Sequence, residues 1–302
     1  MVKLWTGASW AWVKLRVKGR KLPPNVDILS PILCKKNAKL FLHVPVAKKK
    51  GEFTRPKKAV EQRENEALKI CSVDLNINDD LAVCVVQKAD GTVEATKFIR
   101  GGNYLQHRRK KLLGTIATKR AKTSGTGTKG VSSNTCLWRK IRRIDDNEAH
   151  RVSRRIIDFA LSCNATIIVF EHLGSFKPKR GAYSKKGNDK RSYWLRGKIF
   201  KYTKYKAFEL QLLTSRVSPA HTSRRCSNCH EDVFRFGKEL DCNNPYRPGA
   251  PNFLCPYCQN RGNANRMAAI NVGRKFFARR FEKPEAKASG ALAFYEGASH
   301  GR

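Results

Sequence analysis

The sequence predicts an α/β protein with a metal-binding ribbon set into it, and three observations carry that prediction. Apolar strand-like runs end in single acids: LKICSVDLN (68–76) delivers Asp74, and ATIIVFEHL (165–173) delivers Glu171. Between them, Val152, Ile156, Phe159, Ala160 and Cys163 recur at three- and four-residue steps, the period of a helix with one buried face, and predict a long helix over 137–163. Finally, Cys226 and Cys229 form a C-x-x-C pair, and after 25 residues Cys255 and Cys258 form a second. Two thiolate knuckles at that separation present four sulfurs tetrahedrally to one Zn²⁺. Each knuckle sits among Ser, Asn, Pro, Arg and Gly, which are turn residues rather than core residues.

Composition narrows the partners. The 302 residues carry 62 Lys+Arg against 24 Asp+Glu, a net charge of +38. Such an excess repels itself unless it meets a polyanion, so nucleic acid is the expected partner. No run reaches the ~18 apolar residues that span a bilayer, and no secretory signal opens the sequence, which argues against a membrane partner. Ten cysteines without such a signal point to reduced thiols in a cytoplasm.

In chain order, residues 1–50 read as β-structure. WAWVKLRVKGR (10–20) is mostly alternating, and ILSPILCKK and KLFLHVPV are joined by the hairpin-like turn KNAK. A charged linker is expected over 51–67. The α/β core follows over 68–221, with LAVCVVQ and TVEATKFI as further strands about the turn KADG. Residues 103–130 read as a basic stretch running into a mobile Gly/Ser/Thr-rich loop, and 174–192 as another basic loop. A helix is expected over 193–213, then a short strand, the ribbon insertion over 222–262, the last core helix over 263–282 and a frayed tail over 283–302.

A strand projects alternate side chains to opposite faces, so a lone acid after an apolar run reaches a cleft from a rigid base. Asp74 and Glu171 are two such acids. A third oxygen ligand at the start of the helix behind the ribbon would complete a cluster for two Mg²⁺ ions, about 3.5–4 Å apart, hydrolysing a phosphodiester. Arg108, Arg109, Lys110, Lys111, Arg224 and Arg225 are the candidate phosphate contacts.

The order VDLNIND, IIVFEHL, YKAFELQLL, VSPAHTSRRCSNC, CPYC, NANRMAAINV resembles the OrfB/TnpB family of transposon-encoded RNA-guided nucleases, relatives of the type V CRISPR effectors. KLFLHVPV is similar to strands of that family's wedge barrel, so the resemblance covers roughly 10–280. It implies an RNase H-like (RuvC) domain with an inserted zinc ribbon, preceded by strands of a partial wedge-type barrel. It also implies a guide RNA, a DNA target and Mg²⁺-dependent cleavage by two Asp and one Glu. Two departures follow from it. Family members usually begin well upstream, so an N-terminal truncation is expected. The family's third acid falls on Asn265, a carbonyl oxygen without the negative charge that offsets repulsion between two ions. Three readings stay open: a nucleic-acid binder with an impaired nuclease site, which we favour; a working endonuclease using Asp74, Glu171 and Asn265; and a decayed transposase-gene fragment.

Overall fold

The computed structural model describes residues 2–279, except 15–17, 20, 23, 25, 37, 49–54, 123–133, 180, 183 and 242. The Gly/Ser/Thr-rich loop and the tail therefore lie outside the described residues, as do Cys242 and parts of the 10–20 run, the KNAK turn and the linker. The chain divides into two units, Met1–Arg55 and Pro56 onward.

Among its described residues the first unit contains three antiparallel pairs. Strand β1 (Val2–Trp5) pairs with β2 (Trp10–Val13), β3 (Val26–Ile28) with β6 (Val46–Lys48), and β4 (Ile32–Lys36) with β5 (Lys39–His43).

In the second unit a short helix, α1 (Ala59–Arg63), stands inside the expected linker. The core sheet is built from β7 (Lys69–Leu75), β8 (Asp80–Lys88), β9 (Val93–Arg100), β10 (Ile167–Glu171) and β11 (Leu213–Val217). Its spatial order is β11-β10-β7-β8-β9. The three sequence-adjacent strands β7, β8 and β9 run antiparallel, whereas β10 and β11 return parallel to β7. Helices α2 (Gly102–Lys122), α3 (Thr135–Ser162), α4 (Lys185–Ser192) and α5 (Arg196–Glu209) supply the crossovers.

Two expectations needed correction here. The stretch after 102 is a 21-residue helix rather than a basic loop, and the second basic loop ends in the eight-residue α4. Helix α2 has little apolar periodicity, burying Leu105 and Ile116 but also Arg109. Its position is set by packing against α3, which local sequence does not report.

The sheet's two faces follow from the period of two. Cys71, Val73 and Leu75 of β7, with Ile168 and Phe170 of β10, pack on the face covered by α3 and α5. Ile70, Ile167 and Val169 face the other way, against Val272 and Phe276 of α6 (Ala264–Ala278). Gln87 ties that helix down, donating to the Ile270 carbonyl at 3.1 Å and to Ser72 Oγ at 3.3 Å. The approach is close enough that a Cβ on Gly273 would lie 1.3 Å from Gln87 Nε2.

Between β11 and α6 lies a small three-stranded antiparallel sheet of β12 (Phe234–Phe236), β13 (Asn252–Leu254) and β14 (Arg261–Asn263). Helix α6 starts directly from β14, with the Asn263 side chain accepting from the backbone N–H of Asn265 and of Arg266, both at 3.0 Å. An Asn at this position satisfies N–H groups that no helical carbonyl can reach.

Candidate functional site

Strand register brings the two acids together. Residues 167–170 of β10 lie opposite 70–73 of β7, so the next step sets Glu171 beside Asp74 on strands about 4.8 Å apart. By the same alternation, each belongs to the face that α6 covers. Asp74 is buried and accepts from Asn76 Nδ2 at 2.9 Å. Half-buried Glu171 accepts from the Thr222 hydroxyl, at the entrance to the ribbon.

Burial pushes the Asp74 carboxyl up to about 6, against the opposing pull of the Asn76 amide and the Arg235 charge. Glu171 is pushed up to about 8, first by burial and then by the charge of Asp74, with Thr222 and Lys275 holding it down. Burial thus outweighs the nearby charges of Arg235 and Lys275, and the two adjacent carboxylates titrate as a coupled pair. Their oxygens are hard donors suited to a divalent cation between them.

Asn265 lies in the first turn of α6 and is buried. Its Oδ1 accepts from Arg235 Nη2 at 3.1 Å, and Arg235 Nε donates to the Ala250 carbonyl at 2.7 Å. Arg235 is only 5% exposed, so the ribbon delivers a permanent cation to the inside of the site. This guanidinium bonds Asn265 and reaches Asp74 electrostatically; through it the three sequence-predicted positions belong to one neighbourhood. An amide oxygen already facing a guanidinium is a poor seat for a second divalent ion. The set fits one cation at Asp74 and Glu171, and does not fit a second at Asn265.

The four cysteines form the other centre. Their sulfurs all lie within 4.8 Å of one another. Cys226 and Cys258 are 3.6 Å apart and Cys229 and Cys255 3.4 Å, near the ~3.8 Å edge of a tetrahedron with 2.3 Å metal–sulfur bonds. The two knuckles repeat one geometry. The N–H of Cys226 donates to the Glu231 carbonyl and that of Cys255 to Asn260, at 2.7 and 2.8 Å. The residue after each pair, His230 or Gln259, has a left-handed backbone, with φ of 66° and 57°.

Among the candidate phosphate contacts, Arg108, Lys110, Lys111, Arg224 and Arg225 are exposed. Arg224 also pairs with Asp232 at 3.1 Å. Arg109 is different. It is buried and pairs with Asp145 at 2.6 Å, so its charge is answered inside the protein. A cavity of about 660 Å³ opens beside Glu171, with Lys177, Arg191, Arg196, Lys198 and Arg216 on its walls. Sequence reasoning missed Arg235, Thr222 and this basic wall. Thr222 adjoins the first knuckle and could have been flagged; Arg235 is one of many arginines, and nothing local distinguishes it.

Comparison with known proteins places the chain among relatives of similar sequence and fold. Residues 197–272 match the family model described as Cas12f1-like, TNB domain. A TnpB-like protein of Aquifex aeolicus is 28% identical over 228 residues, 72% of this chain and 71% of that one. A CRISPR-associated endodeoxyribonuclease Cas12f1 from an uncultured archaeon is 24% identical over 220 residues, 71% of this chain but 39% of its own length. Among solved structures, C2c1 in a binary complex with its single-guide RNA has a TM-score of 0.54 at 11% identity, covering 82% of this chain and 47% of that one. The Cas12f1 complex with guide RNA and target DNA has a TM-score of 0.50 at 18% identity, covering 80% of this chain and 54% of that one. With its mixed α/β core of RuvC-like fold, the chain is a TnpB/OrfB-type relative of the type V effectors.

Proposed function

We propose that this protein binds a guide RNA and the DNA that RNA selects, and that its RuvC-like site cleaves DNA poorly. The Asn265–Arg235 pair carries the reading, because a neutral amide bound to a guanidinium stands where the family resemblance calls for a third acid. Losing a charged ligand of a two-metal site removes several kcal/mol of transition-state stabilisation, hence orders of magnitude in rate. Asp74 and Glu171 would hold a single Mg²⁺, which when bound polarises a phosphodiester oxygen and activates water. Lys177, Arg196 and Arg216 would position the phosphate backbone beside it, and Lys275 would balance the charge on Glu171. Arg108, Lys110, Lys111, Arg224 and Arg225 would grip nucleic acid further out.

Cys226, Cys229, Cys255 and Cys258 would hold a structural Zn²⁺, making 222–262 a zinc ribbon inserted into the RuvC-like domain. The first unit would supply part of a wedge-type barrel. Partners enter by analogy with the complexes of guide RNA and target DNA formed by the structural relatives. No helix among the described residues is long and apolar enough to cross a membrane.

An intact, adjacent Asp74 and Glu171 favour the second reading, an active Mg²⁺-dependent endonuclease. Plasmid cleavage with the native guide separates the two. We expect the wild type to retain RNA and leave the plasmid intact, Asn265→Asp to produce strand breaks, and Asp74→Ala added to that variant to remove them. Breaks by the wild type that Asp74→Ala abolishes would establish the active enzyme instead.

A further inference from the structure

The β1–β2 hairpin of the first unit carries three of the chain's five tryptophans. In an antiparallel pair, directly opposed residues share a face, as do residues two apart on one strand. Trp5 opposes Trp10 and Lys3 opposes Trp12, so all four side chains stand on one side of the hairpin. On the other side Ala11 and Val13 are half-buried, which makes the tryptophan side the outer one. Trp5, Trp10 and Trp12 are 56%, 62% and 63% exposed. The Trp5 and Trp10 rings meet edge to face, with centroids 5.7 Å apart. Lys3 Nζ lies 6.0 Å from the centroids of both Trp10 and Trp12, holding a positive charge within the aromatic face.

Three large apolar rings left in water require a partner that prefers them to water. Charge restricts what that partner is. Residues 1–55 contain ten Lys and three Arg against only Asp27 and Glu52. A basic protein surface would be repelled. A duplex offers phosphates but keeps its bases stacked on one another. An unpaired strand offers both phosphates for the lysines and flat π-faces for the indoles, and every base can stack whatever its sequence. A lipid surface would take the rings, but the ammonium of Lys3 in their midst disfavours burial among acyl chains.

We propose that the Lys3, Trp5, Trp10 and Trp12 face is a stacking platform for unpaired nucleobases of a single-stranded nucleic acid. It requires nothing of the carboxylate centre, and stands or falls separately from the nuclease reading.

The test uses the full chain and two 20-nucleotide fluorescent strands, oligo-dT and a strand of abasic residues with the same number of phosphates. Anisotropy should show oligo-dT binding at least about tenfold more tightly, because stacking one base on an aromatic ring contributes on the order of five- to a hundredfold in affinity. Trp10→Ala with Trp12→Ala should erase that preference and leave abasic binding unchanged, while an unchanged circular dichroism spectrum and melting temperature show that the variant is folded. Photocrosslinking a 4-thiothymidine strand to the wild-type chain should label Trp5, Trp10 or Trp12, and needs no variant. Equal binding of both strands by the wild type would overturn the assignment, as would equal weakening of both by the substitutions or crosslinks confined to other residues. Loss of binding to phosphatidylserine vesicles in the double variant, with oligo-dT binding intact, would reassign the face to a lipid surface. A halved mass in solution would reassign it to a second copy of the chain.

Discussion

The sulfur centre and the oxygen centre are built at opposite ends of one idea. Both gather side chains distant in sequence, and both use α6, whose first turn packs under the cysteines while its later turns lie on the sheet. The cysteines form a complete set: four like donors in two repeats of one backbone turn. The oxygen set has two carboxylates and then an amide, and the amide is already engaged by Arg235. Ligand count, four against three, separates the two centres only by one. Charge count separates them, and charge decides whether an ion is held.

The largest expected effect strikes the complete centre. Cys226→Ser should take bound zinc from one ion per chain to none and unfold the ribbon, since structural zinc contributes about 10–16 kcal/mol to folding of small zinc domains. Metal analysis and loss of amide protection over 222–262 would register it. Retention of one tightly bound zinc would break the comparison.

Next comes repair of the incomplete centre. Asn265→Asp should raise cleavage by on the order of a hundredfold or more, the return of several kcal/mol at the transition state. Adding Arg235→Gln should tighten Mn²⁺ binding, followed by electron paramagnetic resonance, because the new carboxylate no longer faces a guanidinium. If the second substitution loosens Mn²⁺ instead, Arg235 supports the ion rather than standing in its place.

A smaller effect is expected from pH. The folded carboxyl groups sit at about 6 for Asp74 and about 8 for Glu171, above their ordinary values near 4, so folding favours their protonated forms. Without added Mg²⁺, this contribution to stability is full below about pH 4 and fades as pH rises through 6 and 8. Thermal melts should fall over that window, Asp74→Asn should flatten the fall, and Mg²⁺ should offset it at pH 8. A wild-type profile as flat as the variant's would mean the pair is better neutralised than its surroundings indicate.

The smallest is Gly273→Ala. A methyl group there meets Gln87 and should destabilise by about 1–3 kcal/mol, read by denaturant titration, leaving the zinc content unchanged.

The comparison also shows what could be read from sequence. The cysteines announce themselves by spacing, because both knuckles are local turns. Asp74 and Glu171 were legible as the last residues of apolar runs, and the period of two puts both on the face of Ile70 and Val169. What joins them was not legible. Arg235 reaches Asn265 across 30 residues through ribbon pairings that no local pattern encodes. Helix α2 was hidden for a related reason: Lys and Arg dominate its surface, and its few buried residues include a charge answered by Asp145 on another helix.

The join between β14 and α6 leaves no slack. Asn263 ends the strand and caps the helix that follows. One residue inserted there would turn the helix by about 100° relative to the strand, since 3.6 residues make a full revolution. The amide at 265 would swing to another side of the rod, or Met267 would be wrenched from beneath the cysteines. Length at this hinge is therefore fixed more tightly than side-chain identity. Natural variants should exchange the exposed residues of this joint before they change its length.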